Sequence, residues 1–150
     1  MSQIAISKSL REFLIRHMVK VEDEKEDILK EFYPKVTIES IEFEELIKNY
    51  IISIEEFIKK AQIGDNDPIN VPFVLIESIV EIQDLYDQTV ETFQIISPFS
   101  NQCQTNYPLA SYLSPIGKAL LLKKKGDKVD IKIPTGYSHY LIKDIKYSLE

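Results

Sequence analysis

The sequence predicts an α+β protein: an N-terminal antiparallel helical hairpin, then an antiparallel sheet carrying one short helix. Three observations predict it. Apolar residues recur at helical spacing between Leu10 and Ala61, interrupted by the acidic run Glu22–Asp27 and by the turn Tyr33-Pro34-Lys35. The cluster Gly64-Asp65-Asn66-Asp67-Pro68 then gathers turn-forming residues at one place. Beyond it the period falls to two, in short runs rich in Val, Ile and Phe.

The first helix is expected over residues 7–32. Ser9 with Glu12 has the spacing of a capping box, and Ser7 is the alternative cap. Leu10, Leu14, His17 or Met18, Val21, Ile28 and Leu29 make its apolar stripe, with Phe13 and Phe32 beside them. The acidic run Glu22–Asp27 interrupts that stripe and leaves two readings open, a broken helix or a stretch without an apolar partner. Tyr33-Pro34 ends the helix, because the residue before proline is pushed out of the α region. Thr37 then caps a second helix over 38–62, with Glu39 in its first turn, where a carboxylate offsets the helix dipole. Ile47, Ile51, Ile54, Ile58 and Ala61 form its seam, widened by Ile41, Phe43, Leu46, Tyr50 and Phe57. So short a connection forces the two helices antiparallel.

Strands are expected at Phe73–Ile76, Ile79–Asp84 and Thr89–Ile96, followed by a polar loop from Ser97 to Pro108 and a short strand ending at Tyr112 or Leu113. Ser114 caps a short helix that has Pro115 at its first position, where a missing N–H costs nothing. That helix is expected to run to about Lys124 and stop at Gly126. Val129, Ile131 and Ile133 alternate with Lys128, Asp130 and Lys132, which describes a strand with one wet face. Pro134-Thr135-Gly136 turns the chain into a last strand, Tyr137–Tyr147, alternating through Tyr140, Ile142 and Ile145. The domain reading is therefore residues 1–64 as a helical arm, 65–70 as linker and 71–150 as a sheet domain.

Composition narrows the function classes. The formal charge of −6 weighs against general or sequence-specific nucleic-acid binding, which draws on excess Lys and Arg. Residues 1–66 hold 10 basic and 14 acidic side chains, whereas 115–150 hold 8 Lys against 4 acids, so an acidic arm precedes a basic end. No apolar run reaches the ~20 residues of a membrane helix. Cys103 is the single cysteine. A reducing, cytoplasmic setting is expected, with no internal disulfide. His17 and His139 lie far apart with no metal-ligand spacing, and neither a Gly-rich phosphate loop nor a nucleophile elbow occurs. His17 reads as a seam residue of the hairpin.

The motifs that carry a resemblance lie near the C-terminus. Ser114-Pro115-Ile116-Gly117-Lys118-Ala119-Leu120, the Gly126-Asp127 turn, the alternating strand after it and Pro134-Thr135-Gly136 resemble the C-terminal domain of the bacterial Gre transcript-cleavage factors. The match is close over these elements and looser back to Val71. The resemblance implies an FKBP-like sheet domain behind a coiled-coil arm. It further implies docking of that domain on the rim of the RNA polymerase secondary channel, through Leu113, Ser114 and Pro115. The arm would then carry acidic residues towards the polymerase Mg²⁺ and the 3′ end of the nascent RNA. On that reading the protein has no cofactor of its own and shares the polymerase's Mg²⁺. It would act on the polymerase's nuclease and not be an enzyme itself.

The family's hairpin tip carries an acidic pair three residues apart, followed by a small segment and an aromatic. With Phe43 as the aromatic, Glu39 matches the second acid and Val36 stands at the first. Sliding by three makes Glu39 and Glu42 the pair but loses the aromatic. Glu39 and Glu42 are the candidate acids, since exposed carboxylates are the hard oxygen ligands that Mg²⁺ accepts. Apart from the resemblance, dipole compensation and solubility account for both. Two other outcomes stay open: a non-cleaving regulator on the same site, of the Gre-like inhibitor kind or the kind that regulates nucleoside diphosphate kinase, and an FKBP-like prolyl isomerase or chaperone.

Overall fold

The computed structural model describes residues 5–64, 72–99 and 106–147. The chain divides into two compact units, Met1–Asn70 and Val71–Glu150. The expected linker 65–70, part of the 97–108 loop and Cys103 lie outside the described residues. No helix among the described residues is long and apolar enough to cross a membrane.

The first unit is a helical hairpin of α1 (Lys8–Phe32) and α2 (Ile38–Lys60). Ser7 is the cap of α1, its hydroxyl accepting the Leu10 N–H at 3.0 Å, so the Ser9–Glu12 pattern lies inside the helix. The reason is a short strand. β1 (Ala5–Ser7) pairs in parallel with β2 (Gln62–Gly64), holding the chain extended up to Ser7 and tying the ends of the hairpin together. Neither strand is visible in the sequence, because three residues give no period to read.

α1 runs unbroken through Glu22–Asp27. Its buried face is Leu10, Phe13, Leu14, His17, Val21 and Ile28, and Lys25 fills the gap between the last two. The Lys25 ammonium lies 3.0 Å from Glu22 and 3.7 Å from Glu26, while its stem stays half-buried on the seam. The facing seam is Phe43, Ile47, Tyr50 and Ile54. It is turned slightly from the expected one: Ile51 and Ile58 are only half-buried and Ile41 is exposed. Tyr50 causes the turn, since its hydroxyl reaches the buried His17 Nε2 at 2.7 Å and draws that face inward.

The second unit is a five-stranded sheet in the order β5-β4-β3-β7-β6. Its strands are β3 (Ser78–Asp84), β4 (Val90–Ile96), β5 (Leu109–Ser111), β6 (Lys128–Ile133) and β7 (Gly136–Tyr147). All neighbours pair antiparallel except β4 and β5. Val80, Ile82, Ile95, Val129, Ile131 and Ile142 point into the core, joined by Leu120 of α3 (Pro115–Leu120). Ile142 and Ile145 are three residues apart, a spacing that would put them on opposite faces. A bulge at Lys143 corrects it: Val80 faces Ile145 while Ile82 faces Ile142.

Two expectations fail here. Phe73–Ile76 is not a strand; all four side chains are buried, which no one-sided strand allows. The segment is tied down by Val74, whose N–H donates to Lys123 O and whose carbonyl accepts from Leu122 N, and by Ser78 Oγ accepting from Leu75 N at 2.8 Å. α3 ends at Leu120, short of Lys124, because Leu122 takes a left-handed conformation (φ 67°) that sends its N–H to Val74. Gly126 (φ 92°) serves the next turn, into β6.

Candidate functional site

The turn of the hairpin is a self-contained cap. Thr37 and Ser40 form it reciprocally: Thr37 Oγ1 accepts the Ser40 N–H at 3.1 Å, and Ser40 Oγ accepts the Thr37 N–H at 2.8 Å. The Ser40 hydroxyl also donates to Thr37 O at 2.9 Å, which satisfies a side chain only 3% exposed. Tyr33, the C-terminal cap of α1, leans on Phe43 with ring centroids 5.5 Å apart, closing the turn from beneath.

This cap fixes where the candidate acids stand. Ser40 and Phe43 point inward, so Glu39 and Glu42, roughly 60° apart around the helix, both face solvent. Glu39 sits in the first turn, at the positive end of the helix dipole. Glu39 and Glu42 are therefore brought together on one exposed face. Val36 is 86% exposed and Ile38 73%, so the outermost part of the turn is apolar. In the sequence Val36 stands out only as an apolar residue where the resemblance calls for an acid. Its exposure follows from the cap, which spends the inward positions on Ser40 and Phe43.

The loop before α3 is built differently. Ser111 O accepts both the Ser114 N–H at 3.0 Å and the Ser114 hydroxyl at 2.6 Å, while Ser114 Oγ accepts the Gly117 N–H at 3.1 Å. Ser111 Oγ accepts the Leu113 N–H at 3.0 Å. Gly117 packs against this loop so closely that a Cβ there would lie 1.9 Å from Ser111 O. Ser114 is thus consumed by the fold. Pro115 is exposed and Leu113 half-exposed, so these two offer the loop's contact surface. Ser111 and Gly117 were missed as determinants; the Ser-x-x-Ser spacing is the signal that could have found Ser111.

Lys123, Lys124 and Lys125 are exposed, and Asp127 Oδ2 accepts the Lys124 N–H at 2.8 Å, so the lysine run opens a capped turn. His139 Nδ1 lies 2.5 Å from Asp130 Oδ1 on the sheet surface. No group of His, Cys, Asp and Glu among the described residues could hold a metal ion.

A capped helical hairpin thus precedes a mostly antiparallel sheet that carries a Ser-Pro loop. Residues 70–147 match the family described as "Transcription elongation factor, GreA/GreB, C-term". The chain belongs to this GreA/GreB family. It is 33% identical over 100 residues to transcription elongation factor GreA of Clostridium kluyveri, covering 67% of this chain and 62% of that protein. To GreA of Alkaliphilus oremlandii it is 37% identical over 97 residues, covering 64% and 59%. The match thus spans less than two thirds of these relatives. Among solved structures, the elongation factor GreA/GreB from Nitrosomonas europaea shares the fold at a TM-score of 0.55 and 19% identity, covering 97% of this chain and 100% of that one.

Proposed function

We propose that the protein is an elongation factor that binds bacterial RNA polymerase at the rim of its secondary channel. The unit from Val71 docks through Leu113 and Pro115 on the frame held by Ser114, and the helical hairpin enters the channel. The family match over residues 70–147 carries this reading, since it covers the loop and sheet that would dock. At the tip, Glu39 and Glu42 stand side by side, ionisable and exposed. There they would place carboxylate oxygens beside the polymerase's Mg²⁺, which polarises water for hydrolysis of the backtracked RNA 3′ end. The factor itself is not the catalyst, and it works in the cytoplasm beside the polymerase.

The double variant Glu39→Ala with Glu42→Ala tests the assignment on stalled, backtracked complexes. Cleavage should be abolished while polymerase binding stays within about twofold, because exposed side chains away from a docking loop contribute little to it. Unchanged cleavage in the double variant sinks the acid assignment, and loss of binding sinks the division of labour.

A second reading has its own observation. Val36, at the position of the first acid, is 86% exposed and flanked by exposed Ile38. A tip capped by aliphatic side chains fits a factor that occupies the channel without promoting cleavage. In that case the unaltered protein binds and inhibits without shortening RNA, and Val36→Asp introduces cleavage. Shortening by the unaltered protein decides against it.

A further inference from the structure

We propose that the free edge of β6 is a docking site for an extended acidic polypeptide segment, which adds to the sheet as a further strand. Among the described residues β6 is the last strand of the sheet and pairs only with β7. The two-residue turn Pro134-Thr135 makes Ile133 and Gly136 a hydrogen-bonded pair, and the alternation continues through Ile131–Ser138 and Val129–Tyr140. The Ile142 N–H donating to Asp127 O at 2.9 Å keeps the same phase at the other end. The backbone groups of Lys128, Asp130 and Lys132 therefore point away from the sheet, and no backbone group among the described residues meets them.

Charge identifies the occupant. Residues 106–147 contain eight Lys and three Asp, whereas 72–99 contain five acids and no base. Lys118, Lys123, Lys124, Lys125, Lys128 and Lys132 are all exposed. The three aspartates are engaged elsewhere: Asp127 with the Lys124 N–H, Asp130 with His139, and Asp144 with Lys146 at 3.9 Å. Those contacts leave the carboxylates their charge, and Asp130 stands between Lys128 and Lys132 on one strand face, yet eight Lys against three Asp keep the surroundings of the edge net positive. Lysines at 128 and 132 repel a second β6 edge, which is how natural edges avoid self-pairing. The same two lysines admit a strand with carboxylates in register, about 13 Å apart.

Nucleic acid fits less well. An edge strand offers donors and acceptors in alternation, and phosphate only accepts, so Asp130 and Lys132 carbonyls would lose water without a partner. Another peptide backbone meets both kinds of group, as in strand addition at other sheet edges. This inference does not depend on whether the hairpin promotes cleavage.

The test uses the full chain and a short synthetic peptide of alternating valine and glutamate. Controls are the same peptide interrupted by a central proline, an alternating valine–lysine peptide, and a single-stranded oligouridylate. The valine–glutamate peptide should slow amide exchange at Lys128, Asp130 and Lys132 about tenfold or more, and the controls should not. Reversing the charge with Lys128→Glu and Lys132→Glu should weaken its binding about tenfold, as two exposed pairs allow, and shift preference to the valine–lysine peptide. Asp130→Pro removes one outward N–H without touching the β7 ladder, and should weaken both peptides. Equal protection by the proline-interrupted peptide or by oligouridylate, or binding that Asp130→Pro leaves intact, overturns the proposal.

Discussion

Thr37 and Ser114 each start a helix, yet the two starts are built in opposite ways. At Thr37 the cap closes on itself: Thr37 and Ser40 exchange hydrogen bonds within four residues. At Ser114 the cap is a bridge, taking Ser111 O on one side and the Gly117 N–H on the other. The first arrangement leaves its outer side chains, Val36, Ile38, Glu39 and Glu42, exposed and outside the hydrogen bonds of the cap. The second uses its serine and its glycine for packing and leaves Pro115 exposed and Leu113 half-exposed. A local cap lets the surface residues of a tip change, whereas a bridged cap holds its residues to one solution.

The largest effect that would test this contrast comes from Gly117→Ala. The new Cβ would lie 1.9 Å from Ser111 O, 2.7 Å from Ser111 C and 3.0 Å from Tyr112 Cα, all of them backbone atoms that cannot swing aside. The loop and α3 must separate, at a cost of about 3 kcal/mol or more, at the upper end of overpacking effects. Urea unfolding followed by amide exchange in β3 and β7 should show that loss confined to the second unit. A change below about 1 kcal/mol would mean that the loop is not the rigid frame inferred from its hydrogen bonds.

Next in size is the pair Ser114→Ala and Ser40→Ala. Ser114→Ala removes the N-cap of α3, worth about 1 kcal/mol, whereas Ser40→Ala removes only the reciprocal half of the Thr37 capping box. Each variant also deprives a carbonyl of a hydroxyl donor, Ser111 O at 2.6 Å and Thr37 O at 2.9 Å, but only Ser40→Ala keeps an N-cap side chain, that of Thr37, so the Ser114→Ala loss should be the larger. Ser40→Ala leaves Tyr33 on Phe43 and the seam residues Ile47, Tyr50 and Ile54 in place, and should fray only the first turn of α2. Helical circular dichroism and the urea midpoint of each variant measure this. Equal losses would erase the distinction between a closed and a bridged cap.

How far the sequence reveals these features follows from the length over which each is encoded. α1, α2, β3 and β6 declare themselves through repeated periods of burial, and β4 and β7 through runs of β-branched and aromatic residues. α3 declares itself through Ser114-Pro115 at its start. β1 and β2 do not, because their pairing joins residues far apart in the chain. Phe73–Ile76 misleads for the opposite reason. Four adjacent apolar residues suit a strand, yet they are buried on all sides under backbone bonds to Leu122 and Lys123. At the candidate site, Ser114 is legible as a cap from Ser114-Pro115, and Glu39 and Glu42 become candidates only through the family resemblance. The exposed Val36 and the Ser111 bridge required the geometry of the turns, which no residue type signals alone.

The smallest effect concerns the arm, where Lys25 interrupts the seam between Val21 and Ile28. Its ammonium is held above its ordinary value of 10.5, first by the hydrogen bond to Glu22, with the carboxylates of Glu22, Glu26 and Glu44 adding to it against partial burial. Glu44 belongs to α2, so the lysine links the two helices as well as two turns of one. A raised value in the folded state means stability that is fully present below the unfolded value and is lost as pH rises through the folded one. Lys25→Met keeps the stem on the seam and removes only the charge. At neutral pH it should cost no more than about 0.5 kcal/mol, the scale of helix-surface ion pairs, and molar salt should shrink the difference. Above the folded value the unaltered lysine is neutral too, and the two proteins should unfold at the same urea concentration. A gap that persisted there would place Lys25's contribution in packing, making the arm's seam continuous through the acidic run without help from charge.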